Sequence, residues 1–103
     1  MINIIEELKN LFRQNGIPVF GIAESKLLEK EPEGYRPSDV LSSASSILCF
    51  GIPVPKGVLR DQERVNNNYW RMASIYYHNM DVISSQAAVI IEGQDEIATP
   101  VLS

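Results

Sequence analysis

Apolar and polar positions along this chain repeat one order three times, a helix-like segment followed by a strand-like one. Ile4, Ile5, Leu8, Leu11 and Phe12 recur at helical spacing with polar residues between them, which predicts an amphipathic helix with one buried face. Asn3 suits its N-cap, Glu6 stands three residues on as in a capping box, and Gly16 suits a left-handed stop. Residues 17–23 are a short apolar run of strand length. Residues 24–37 carry charge, Pro32, Gly34 and Pro37, and predict an exposed connection holding one short helical turn. Ser38 or Asp39 then caps a short helix to about residue 44. Residues 46–52 read as a second strand, nearly all apolar as in a strand covered on both faces. Pro53 and Pro55 end it, since proline cannot donate to a ladder.

After a loop over residues 53–66 comes the longest periodic segment, about residues 68–93. Tyr69, Ala73, Tyr76, Met80, Ile83, Ala87 and Ile90 alternate spacings of four and three. A helix of about 25 residues would be roughly 37 Å long. Trp70, Met72, Ile75, Tyr77, Val82, Val89 and Ile91 lie off that stripe, and a helix so apolar around its circumference packs on more than one side. Beyond Gly93, residues 97–103 predict a third strand. The order αβαβαβ predicts one α/β domain over residues 1–103, in two or three layers, with a short, mostly parallel sheet and one long helix. Strands separated by a helix are usually right-handed crossovers; an antiparallel third strand is the alternative.

Charge narrows the partners. Nine Lys and Arg stand against 13 Asp and Glu, a formal net charge of −4. That disfavours direct nucleic-acid binding, which draws on a basic face. The acidic N-terminal stretch is not a signal peptide, and no apolar run reaches the roughly 18 residues of a membrane span. One cysteine, Cys49, and one histidine, His78, can form neither an internal disulfide nor a four-ligand zinc or iron–sulfur site. The chain by itself is therefore expected to hold no metal or cluster.

Candidate chemistry is sparse. His78, with Asp81 three residues on, is the place where acid–base work would centre; the simpler reading is a surface or interface histidine. Cys49, inside an apolar strand, reads as a small buried hydrophobe rather than a nucleophile. Lys56 and Arg60 follow the second strand at its carboxyl end, where open α/β sheets bind ligands, and are the candidate cofactor-binding residues; Arg64 and Arg71 lie further along. No phosphate-loop spacing accompanies them, and a rigid Pro/Gly loop is the competing reading.

The stretch from Tyr35, Arg36, Pro37, Ser38 and Asp39 through Ala44, Ser46, Ile47, Leu48, Phe50, Gly51, Ile52, Pro53 and Pro55, then the long helix and Ala98-Thr99-Pro100-Val101, resembles the N-terminal region of epoxyqueuosine reductases. These are cytoplasmic iron–sulfur oxidoreductases akin to reductive dehalogenases. The resemblance touches most of the chain through short, apolar motifs. It implies a longer protein of which this is the N-terminal part, helping to form a cobalamin-type cofactor or substrate site. A C-terminal ferredoxin-like part would carry two four-iron–four-sulfur clusters. The family's acidic proton donor has no matching aspartate here, although Asp95 and Glu96 are near its place. The aromatic–histidine signature is displaced to Tyr77-His78. The resemblance thus implies an outlying relative, cytoplasmic and inactive as an isolated chain. Its partner would be that ferredoxin-like domain or a second copy joined through the long helix. A small structural module that dimerises through that helix, and an independent enzyme using His78, are the other readings.

Overall fold

Helix α1 spans Ile4–Gln14. It starts where Asn3 Oδ1 accepts the Ile5 backbone N–H at 2.9 Å, while the Glu6 carboxylate lies 3.7 Å from the Lys9 ammonium. It stops at Gly16, whose φ of +69° is left-handed, and the Ile17 N–H closes onto the Phe12 carbonyl at 2.8 Å. That is the glycine-terminated stop that the spacing predicts. These details come from a computed structural model that describes residues 3–59 and 67–102.

Strands β1 (Val19–Glu24) and β2 (Ser46–Gly51) pair with each other. Their pairing is antiparallel, Val19 opposite Gly51 and Glu24 opposite Ser46, which corrects the expectation of a mostly parallel sheet. The connection explains the sense. A parallel pair needs a crossover that carries the chain back across the sheet, usually on a helix. Residues 25–45 hold only a 3₁₀ turn, Ser25–Leu28, and the four-residue helix α2, Pro37–Val40. Helix α2 is also shorter than predicted, and Asp39 acts ahead of it rather than as its N-cap. Its Oδ2 accepts the N–H groups of Gly34 at 2.8 Å and Arg36 at 3.1 Å, fixing the turn that leads in. Arg36 Nε donates to the Glu31 carbonyl at 2.8 Å.

The long helix α3 runs Asn67–Glu92, within a residue of the predicted span. Leu8 and Phe12 of α1, Ile17, and Ile83 and Ala87 of α3 form the buried core, with Phe20, Leu48, Phe50, Ile52 and Ile90 against it. The Phe12 ring lies 4.9 Å from that of Phe20 and 5.2 Å from that of Phe50. The core therefore sits between the helices and one face of the sheet, making two layers. On the other face Val19, Gly21, Ala23 and Cys49 are exposed. Cys49 is thus an exposed thiol and not the buried hydrophobe expected, while Ile47 on the same face of β2 is half-buried.

The third predicted strand does not form. Asp95 turns the chain with φ +62°, and the Ala98 N–H reaches back to Glu92 Oε1 at 3.4 Å. Both hold residues 95–98 at the end of α3, away from a sheet edge, and Pro100 removes a ladder donor. The chain as a whole is open. Its radius of gyration is 16.1 Å, against about 13 Å for a compact chain of this length. Its accessible surface is 8036 Å², where a compact monomer of this mass exposes about 5,800 Å².

Candidate functional site

Where β2 ends, Ile52 meets α3 and the last turn of α1 around an open hollow of about 250 Å³. Asn15, Ile52, Tyr76, Asn79, Val82, Ile83 and Gln86 line it. The α3 members recur at three- and four-residue steps, so a single helix surface supplies most of the wall. Asn15 comes from the cap of α1, held by its Nδ2 donating to the Leu11 carbonyl at 2.8 Å. The lining is three carboxamides and a phenol over an apolar floor. Such groups recognise an uncharged polar group by hydrogen bonds; none is a base or nucleophile at neutral pH.

Among the candidates read from the sequence, none of those described lines the hollow. Lys56 opens a 3₁₀ turn, Lys56–Leu59, is exposed and is not among the hollow's lining residues. Arg60 and Arg64 lie outside the described residues. His78 is exposed on α3. Asp81 is half-buried, and its backbone carbonyl accepts the Ser85 hydroxyl at 3.0 Å. Asn15, Asn79 and Gln86 were not foreseen. Tyr76, Asn79, Ile83 and Gln86 at helical steps carried that signal, masked by reading Tyr76 and Ile83 as core alone.

The donor set tests the groups that the resemblance implies. Among the described residues no group of three His, Cys, Asp or Glu stands close enough to hold a metal ion, and the single thiol is on the opposite side of the sheet from the helices. A corrinoid is far larger than a hollow of about 250 Å³, itself below the roughly 300–1,000 Å³ of sites for drug-sized ligands. Among the described residues the donor set for a cluster is missing, and a corrinoid could meet only one wall here. No helix among the described residues is long and apolar enough to cross a membrane. Compared with protein-family models, with curated proteins and with solved structures, the chain matches none.

Proposed function

We propose that this chain is the α/β part of a cytoplasmic iron–sulfur oxidoreductase similar to the epoxyqueuosine reductases, without turnover of its own. It supplies one wall of a cofactor or substrate site whose other walls and clusters belong to a ferredoxin-like partner. The observation that supports this reading is the amide-lined hollow between the end of β2 and α3, two segments that carry the resemblance. Equilibrium dialysis against hydroxocobalamin tests it. The expected result is weak, saturable binding that falls when Asn79 and Gln86 are both changed to alanine. Absence of saturable binding to the unaltered chain removes the cofactor wall from the account.

A second reading, a structural module that assembles with itself, is favoured by a different observation. Trp70, Ile75, Tyr77, Val82 and Val89 of α3 are all exposed, and large exposed apolar surface marks an interaction site.

A further inference from the structure

Along one side of α3, with Val82 at the rim of the hollow and the others further from Ile83 and Ala87, seven residues recur at alternating steps of four and three: Arg71, Ile75, His78, Val82, Ser85, Val89 and Glu92. All seven are exposed, and Ile75, Val82 and Val89 remain 59%, 44% and 70% accessible. Alternating four- and three-residue steps hold one line along a helix, the geometry by which two helices seat their side chains against each other. The line is also nearly palindromic in chemistry. Val82 is its centre, Ile75 and Val89 stand seven residues to either side, and a cation, Arg71, and an anion, Glu92, mark its two ends.

We infer that this line is the contact by which α3 pairs, antiparallel, with α3 of a second copy of the chain. The inference rests on the self-assembling reading and names its surface and orientation. An antiparallel two-fold through Val82 places Val82 on its copy, Ile75 on the copy's Val89, and Arg71 beside the copy's Glu92 at both ends. A parallel pairing would put Arg71 against Arg71 and Glu92 against Glu92, like charges that repel. The antiparallel arrangement also opposes the two helix dipoles. A two-fold contact of this kind is isologous, each patch meeting its own copy, which a palindromic line satisfies.

The test uses the whole chain with Cys49→Ser. In that background Val82→Cys forms a disulfide-linked dimer on mild oxidation. Ile75→Cys alone does not, because the two thiols stand roughly 21 Å apart along the helix pair. Ile75→Cys mixed with Val89→Cys cross-links. Sedimentation equilibrium of the unaltered chain gives twice the 11.5 kDa of one copy. Arg71→Glu weakens association about tenfold by making both end pairs repulsive, and Arg71→Glu with Glu92→Arg restores it. Circular dichroism confirms that α3 is kept in each variant. A chain that stays monomeric at millimolar concentration with α3 formed overturns both the surface and the self-assembling reading. A dimer whose Ile75→Cys and Val89→Cys forms each cross-link singly, or that ignores the charge swap, overturns the surface and orientation while leaving self-assembly standing.

Discussion

Helices α1 and α3 touch the same core yet are written for different surroundings. In α1 the apolar residues Leu8 and Phe12 are buried, Ile4 and Leu11 are half-buried beside them, and Glu6, Lys9 and Arg13 take the solvent side. In α3 only Ile83 and Ala87 are buried, while Trp70, Ile75, Tyr77, Val82 and Val89 stay in water. One helix has a single apolar face and a polar back; the other has apolar residues on its back as well. A face kept apolar without cover inside the chain is one that another surface is fitted to meet.

The largest effect expected from that contrast is at Phe12. Phe12→Ala removes a ring buried between the helices and both strands, and should cost about 3–5 kcal/mol. With so few buried residues that is most of the stability a domain of this size has, typically about 5–15 kcal/mol. Val82→Ala, at the exposed rim of the hollow on α3, measured by the same urea titration at low concentration, should change stability by about 0.5 kcal/mol or less. Comparable losses at the two positions would break the comparison.

Smaller changes sharpen it. Gly16→Ala forces a β-carbon into a left-handed position with φ +69° and should lower stability by about 1 kcal/mol. The Ser25 hydroxyl is buried without a hydrogen-bond partner among the described residues. Ser25→Ala should therefore raise stability by up to about 1 kcal/mol, read as a higher urea midpoint, since an unsatisfied buried hydroxyl is unfavourable. A lower midpoint would show that this hydroxyl is satisfied in solution. Last, Cys49 should react with a thiol reagent nearly as fast in the folded chain as in denaturant. Protection in the native state would show that the outer face of the sheet is covered.

Residues whose environment is local were legible in the sequence. The α1 stop at Gly16 and the span of α3 follow from spacing and caps over a few neighbouring positions. The sense of β1 and β2 was not, because strand composition alone does not record direction. The clue lay in residues 25–45, where a four-residue helix cannot serve as a crossover. The apolar run of β2 suggests cover on both faces, yet the core packs on the Phe20 and Phe50 side and Cys49 on the other is exposed. Ile97, Ala98 and Val101 have strand-like composition but meet no edge, being held at the end of α3 by Asp95 and Glu92. At the hollow the structure gathers Asn15, Asn79 and Gln86, whereas charge points to Lys56, which lies outside the lining, and to Arg60, which lies outside the described residues. Carboxamides recur everywhere in sequences and are found only by seeing which of them converge.

The claim that α3 carries a second packing face meets its most direct test in the concentration dependence of thermal unfolding. Association of folded chains stabilises them by mass action. Helical circular dichroism of the unaltered chain should therefore give a melting temperature that climbs steadily over about a hundredfold rise in protein concentration, and Val82→Glu should flatten that climb while leaving the dilute-limit melting temperature in place. A melting temperature that is the same at every concentration, with α3 folded, would contradict the account.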